Sequence, residues 1–276
     1  MLYIIGLGLG NEKDITVRGL EAVKSCSKLF LEAYTSILCV DKERLEAFYE
    51  KEITIADRNM VESEAEQIYQ AAKDENVGLL VVGDPVCATT HTDIMLRALD
   101  YDVKVEMIHN ASVMGAVGSC GLQLYNFGQT ISIPFFEGTW RPNSFYPKIG
   151  YNRKGSMHTL CLLDIKVKEP DFDAMMKGVE KFLPPRFMTI NTAIEQLLEV
   201  EDSLEKKIYS RSTLCVGLAR LGQPDCTIVS GTMEELINVD FGPPLHSLVI
   251  CSDDVHELEM EMLQKLMVNE STKKIE

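Results

Sequence analysis

Residues 79–93, LLVVGDPVCATTHTD, set a carboxylate, a thiol, several hydroxyls and an imidazole directly behind a wholly apolar run. The run has the length and β-branched content of a strand covered on both faces. Gly83 then lets the backbone turn or approach a ligand closely, and Pro85 ends strand pairing. Asp84 is left at the carboxyl end of the strand, where open α/β sheets bind their ligands. A carboxylate there can fix a cationic or hydrogen-bonding group; in isolation, Gly-Asp-Pro reads equally well as a plain turn. A second apolar run, residues 2–5, leads into Gly6, Gly8 and Gly10, a loop that calls for unusual dihedrals or close approach by another molecule.

Two chemistries are compatible with such a loop. A dinucleotide fingerprint would use Glu32, after the apolar residues 29–31, as its ribose-binding acid, which makes a nicotinamide-dependent oxidoreductase the alternative reading. It fits poorly: the third glycine of that motif falls on Asn11, and Glu12, Lys13 and Asp14 intervene before the helical pattern near Ile15, so no helix start opens onto a pyrophosphate. No Ser-His-Asp elbow, Walker loop or zinc spacing is present. His91, His109, His158, His246 and His256 are scattered, and His246 stands out because Gly242-Pro243-Pro244-Leu245 presents it on a stiff loop before an apolar strand.

These residues need a frame. After the first strand, helical spacing predicts helices over 15–25, capped near Asp14, and over 44–50. Val61, Ala65, Ile68 and Ala72 predict one amphipathic helix over 61–74. Strand 79–83, a helix over 93–99 and a strand over 103–108 complete a βαβ series, which predicts a parallel sheet. From His109-Asn110-Ala111-Ser112 onward, Gly115, Ala116, Gly118, Ser119 and Gly121 crowd the next helix, reading either as tight packing or as a wall against a ligand. Strands follow over 130–134, 159–165, 215–221 and 247–251. Pro184 and Pro185 precede a helix with a Thr192/Glu195 capping box and a buried stripe of Ile194, Leu197 and Leu198. The fold class is α/β with two α/β domains, 1–109 and 110–276, and the tail from Asn269 reads as frayed.

The chain has 276 residues, 46% of them hydrophobic, ordinary for a globular enzyme and unlike a disordered chain. A net charge of −15 argues against nucleic acid or an anionic membrane as the main partner. The eight cysteines are spread singly and read as reduced, mostly core-filling thiols. MLYIIGLGLG lacks the basic start of a signal peptide, and no apolar run approaches spanning length, so a cytoplasmic location without a membrane is expected.

In order along the chain, GLGLGNEKDITVRGLEA, LEAYTS (31–36), VVGDPVCATTH, IHNAS, GLQLYNFGQT, TWRPNSF, HTLCLLDIK and GPPLHSLVI resemble the diphthine synthases, a branch of the tetrapyrrole methylase-like class of S-adenosylmethionine-dependent methyltransferases. The likeness runs from residue 1 to about 265. Thr89-Thr90-His91, Thr139-Trp140-Arg141-Pro142 and residues 158–164 carry the diphthine branch. His109-Asn110-Ala111-Ser112 stands where the wider class has Pro-Gly-x-Ser, pointing away from the porphyrinogen-modifying enzymes. The resemblance implies a homodimer of two α/β domains with S-adenosyl-L-methionine in the cleft between them. Residues matching the family's cofactor contacts are Leu9, Asp84, Cys87, Ser112, Val113, Leu163, Leu221 and His246. The implied substrate is elongation factor 2 carrying an amino-carboxypropyl histidine, trimethylated on the amine and, in the eukaryotic type, methylated once more as a carboxylate ester; an archaeal type stops at three. Such transfers depend chiefly on alignment of nucleophile, methyl and sulfur, so no side chain is assigned as a general base and no metal is expected.

Overall fold

The computed structural model describes residues 1–269 apart from 33, 35, 36, 39, 63, 172–174, 177 and 180, so Cys39 and part of the 31–36 block lie outside the described residues. Two compact units divide the chain. One comprises Met1–Ala116 with Val167–Pro184, the other Val117–Lys166 with Pro185–Glu276.

The first unit holds the expected parallel sheet. Strands β1 (Leu2–Gly6), β2 (Lys28–Glu32), β3 (Thr54–Ala56), β4 (Val77–Val81) and β5 (Val105–Ile108) lie in the order β3-β2-β4-β1-β5, every pairing parallel. Apolar runs serve here because both faces are covered: Leu2, Ile4, Leu79 and Val81 enter one hydrophobic cluster, Ile5, Leu7 and Leu80 the other, as the two-residue period of a strand requires. Helix α1 (Val17–Ser25) begins two residues later than its pattern suggests, because the Thr16 hydroxyl, not Asp14, accepts the Gly19 N–H at 3.0 Å. Helix α2 (Lys42–Tyr49) is capped by Asp41.

The single helix expected over 61–74 is two, α3 (Arg58–Glu62) and α4 (Glu66–Asp74). Glu64 N–H donates back to the Asn59 carbonyl at 2.9 Å, and Asn59 Nδ2 donates to the Glu64 carboxylate at 2.8 Å. That closed turn breaks the helix. The apolar period survives it, since Val61, Ala65, Ile68 and Ala72 all enter one cluster. Helix α5 (Thr92–Asp100) follows β4, and the small-residue segment gives only a short α6 (Val113–Ala116) and a 3₁₀ turn, Val117–Cys120.

In the second unit, β6 (Ile131–Ile133), α7 (Tyr146–Lys154), β7 (Thr159–Leu163), the short pair β8 (Ile165–Lys166) and β9 (Arg186–Phe187), α8 (Ile190–Leu204), β10 (Leu214–Ala219), β11 (Thr227–Thr232), α9 (Met233–Leu236), β12 (His246–Ile250) and α10 (Glu257–Lys265) build a sheet of order β11-β10-β12-β7-β6. Only β6 and β7 pair in parallel. Residues of α8 cover one face with Ile133, Cys161, Cys215 and Leu248; Leu263 of α10 joins Leu160, Val216 and Val249 on the other. Helix α8 starts earlier than its expected capping box: Thr189 is the cap, accepting the Thr192 N–H at 3.2 Å. True capping boxes occur at Thr232/Glu235 and His256/Glu259.

Candidate functional site: the strand-end loops

In the first unit, β4, β1 and β5 are sheet neighbours running the same way, so their carboxyl ends bring together the loops after Gly6, after Val81 and after Ile108. Gly8 and Gly83 join the first two loops by a reciprocal pair of backbone hydrogen bonds, 2.8 and 3.2 Å, both residues having positive φ near 80°. Asp84 is buried. Its Oδ1 accepts the Val86 N–H at 2.9 Å, and its Oδ2 accepts the Asn110 N–H at 3.0 Å and the His109 Nδ1–H at 2.9 Å. Burial pushes its pKa up, but the two backbone donors and His109 outweigh that and hold the carboxyl below the usual carboxylate range. At neutral pH it carries a fixed negative charge.

The glycines answer to protein atoms. A Cβ on Gly6 would stand 2.6 Å from the Gly83 carbonyl oxygen and 2.8 Å from Asn110 Cβ; one on Gly8 would stand 2.8 Å from Asp14 Cβ and 3.3 Å from Asn110 Oδ1. Their spacing, legible as room for a ligand, is also what lets three loops pack on one another. Of the small residues further on, Gly121 has positive φ and faces Met262, a packing role, whereas a Cβ on Gly115 would meet nothing within 4 Å. Leu9, Cys87 and Val113 are half-buried, and buried Ser112 accepts the Gly115 and Ala116 N–H groups at the start of α6. His91 was unassigned by spacing. Its Nδ1–H donates to the Pro85 carbonyl at 2.8 Å, which leaves Nε2 as a buried acceptor without a partner.

The second unit presents Leu163 at the end of β7, Leu221 two residues past β10, and His246 opening β12, where it pairs in register with Ala219. Both imidazole nitrogens of His246 are engaged: Nδ1 accepts the Ile190 N–H at 3.4 Å and Nε2–H donates to the Gly242 and Pro243 carbonyls at 3.1 Å. Burial depresses its pKa, more than the two carbonyls raise it, so the ring is neutral and holds the 242–245 loop; neither nitrogen is left to move a proton. Arg220, which spacing did not single out, does the same work from the other side. Its guanidinium donates to the Phe241 carbonyl at 2.7 Å and the Pro243 carbonyl at 2.6 Å and pairs with Asp225. The available signal was a cation beside Leu221 and a proline-rich loop with carbonyls to satisfy. Asp164 accepts the Phe135 N–H at 3.1 Å, a strand-end tie.

A buried carboxylate at the strand end, with half-buried Leu9, Cys87 and Val113 in the loops beside it, lies where open α/β sheets take their ligands. Residues 1–237 match the model for tetrapyrrole (corrin/porphyrin) methylases. The chain belongs to that family. It is an S-adenosylmethionine-dependent methyltransferase, and the nicotinamide alternative falls away. Among its relatives, the diphthine methyl ester synthase of Dictyostelium discoideum is 54% identical, with 98% of this chain and 100% of that one covered. The human diphthine methyl ester synthase is 52% identical over 99% of this chain and 97% of its own. A crystal structure of diphthine synthase superposes with a TM-score of 0.81 at 33% identity, covering 96% of this chain and 95% of that one. Among the described residues, no helix is long and apolar enough to cross a membrane.

Proposed function

We propose that this methyltransferase converts the amino-carboxypropyl histidine of elongation factor 2 to diphthine methyl ester, three methyl groups going to the amine and a fourth to the carboxylate, in the cytoplasm and as a homodimer. The observation that carries the reading is identity above 50% over nearly the whole length of relatives named for that product.

S-Adenosylmethionine, when bound, supplies an electrophilic methyl group on a cationic sulfur. Leu9, Asp84, Cys87, Ser112 and Val113 of the first unit and Leu163, Leu221 and His246 of the second are the residues proposed to hold it. Asp84 offers a fixed negative charge that favours a cationic ligand over the neutral thioether left after transfer. His246 and Arg220 keep the 242–245 loop in place without exchanging protons. The amine releases its proton to water before attack, so no side chain has to act as a base. With the cofactor held by these residues, the lone pair would take the methyl group from sulfur, and the chain's part would be to align nucleophile, methyl and sulfur, which supplies much of the rate.

Purified protein, labelled S-adenosylmethionine and elongation factor 2 bearing the amino-carboxypropyl histidine decide the matter. Mass spectrometry of the modified peptide should count four added methyl groups, one of them removed by brief mild alkali. Three alkali-stable methyl groups would establish the archaeal type. No transfer, despite tight cofactor binding, would overturn the substrate assignment and leave the family intact.

A further inference from the structure

We infer that Asn110 is the positioning residue of the cofactor loops, setting the separation between the segments that carry Leu9, Asp84 and Ser112; the inference rests on the proposed assignment of those residues to the cofactor. Asn110 touches all three loops. Its backbone N–H donates to Asp84 Oδ2 at 3.0 Å, and its Nδ2 donates to the Gly6 carbonyl at 2.9 Å and the Asp14 carbonyl at 3.0 Å. Its Oδ1 accepts the Ala111 N–H at 2.7 Å, one residue before Ser112. The orientation of the amide is therefore fixed, since only the nitrogen can face two carbonyls. Asp14 passes the restraint on: its Oδ2 accepts the Gly10 N–H at 2.6 Å, closing the loop around Leu9.

The sequence leaves room for this side chain. Asn110 Cβ and Oδ1 share with the Gly83 carbonyl and Asp14 Cβ, which stand closer still, the space that side chains at 6 and 8 would need, so the two glycines leave room for Asn110 among these atoms. The restraint adds directed hydrogen bonds to the close packing of these loops. Gly6 and Asp14 lie about a hundred residues from Asn110 in sequence, and these loops meet through directed hydrogen bonds. An aspartate at 110 would turn an oxygen toward two carbonyls and add a third carboxylate beside Asp84 and Asp14. An alanine would leave both carbonyls without their donor. In either case the Gly8–Gly83 bonds remain, but the loop around Leu9 loses its ties at Gly6 and Asp14, and binding has to restore the order those ties supplied.

Asn110→Ala and Asn110→Asp test this in the full-length protein. Titration with S-adenosylhomocysteine is expected to show affinity lowered about tenfold or more, two side-chain hydrogen bonds being lost. KM for S-adenosylmethionine should rise in step while kcat at saturating cofactor stays within about twofold, the split expected of a residue that positions and does not react. Without any ligand, hydrogen exchange of the amides of residues 8–14 should quicken. Asn110→Ser, which keeps one donor, should fall between wild type and Asn110→Ala, and it serves in place of any variant that does not fold. Unchanged affinity together with unchanged exchange would overturn the inference. So would a fall in kcat with KM unmoved, which would put Asn110 among the reacting atoms. If the wild type does not bind S-adenosylhomocysteine, the cofactor assignment itself fails and the positioning role falls with it; the exchange arm then still reports whether Asn110 ties the loops.

Discussion

Replacing Asp84 by alanine separates a turn from a site. The carboxylate is 5% exposed and accepts two backbone N–H groups, from Val86 and Asn110, plus the ring of His109, which is largely solvent-exposed. Each backbone donor left unsatisfied costs about 1–3 kcal/mol, so the pair is worth roughly 2–6 kcal/mol. The exposed His109 contact adds little, because surface pairs contribute at most about 1 kcal/mol. For a chain of this size the loss should lower the melting temperature by about 5–15 °C. Asparagine keeps the oxygen for one donor but turns an amide N–H₂ toward the other, so Asp84→Asn should lose about half as much and also remove the charge. Thermal unfolding gives the stability term; titration of the surviving folded protein with S-adenosylhomocysteine gives the other. Both variants are expected to lose affinity by roughly tenfold or more, from the missing charge and the loosened loops. A melting temperature within about 2 °C of wild type would refute the reading of Asp84 as the tie between β4 and β5. A lowered melting temperature with full affinity would remove Asp84 from the cofactor site.

Other perturbations have defined signs. His158 and His246 are buried with depressed pKa values, burial being the main cause in both, so the unfolded chain takes up protons near pH 6.5 that the native state refuses. Stability should therefore be full above pH 7 and decline as the pH drops below about 6.5, by up to about 1.4 kcal/mol per pH unit per histidine; urea unfolding from pH 7.5 to 5.5 checks this, and a flat profile would contradict it. A methyl group on Gly217 would lie 2.3 Å from Phe241 Cζ and 3.0 Å from Ile190 Cδ1, so Gly217→Ala should destabilise by about 1–3 kcal/mol in denaturant titration. Gly115→Ala meets open space in a helical turn and should leave the melting temperature unchanged or slightly raised. If the net charge of −15 helps dock the proposed protein substrate, affinity for that substrate should weaken as salt rises while cofactor affinity changes much less.

The first unit was legible because burial on both faces writes its strands as unbroken apolar runs, and β1, β4 and β5 fall on 2–5, 79–83 and 103–108 to within two residues. What escaped has a physical cause in each case. β3 has three residues, two of them exposed, and no pattern of that length stands out. β11, TIVSGT, has four small or hydroxylated residues, and two of them, Ser230 and Gly231, are buried. The α3/α4 break depends on a backbone bond from Glu64 to Asn59, which leaves the apolar period untouched. The first residue of α8 is set by whether Thr189 or Thr192 turns its hydroxyl to a backbone donor, and their oxygens lie 3.0 Å apart in the same turn.

The candidate site was legible to a different depth. Gly6, Gly8, Gly83 and Asp84 announced themselves because a strand that ends in glycine and a carboxylate is an odd way to end a strand unless something is held there. What the pattern left open is which atoms come close. A glycine reports that some atom must pass within reach of its missing Cβ, and for Gly6 and Gly8 those atoms belong to Gly83, Asp14 and Asn110. His246 makes the same point from the other unit: a histidine on a rigid loop invites a ligand contact, yet both of its ring nitrogens are spent on Ile190, Gly242 and Pro243. Residue type marks where close approach or polarity is needed, while hydrogen-bond partners decide whether protein or ligand meets the need. For this chain the protein itself meets it at Asp84, Asn110 and His246. These residues therefore shape, before any ligand arrives, the loops proposed to hold the cofactor, and the affinity lost on mutating them should be regained in part by any change that stiffens the same loops.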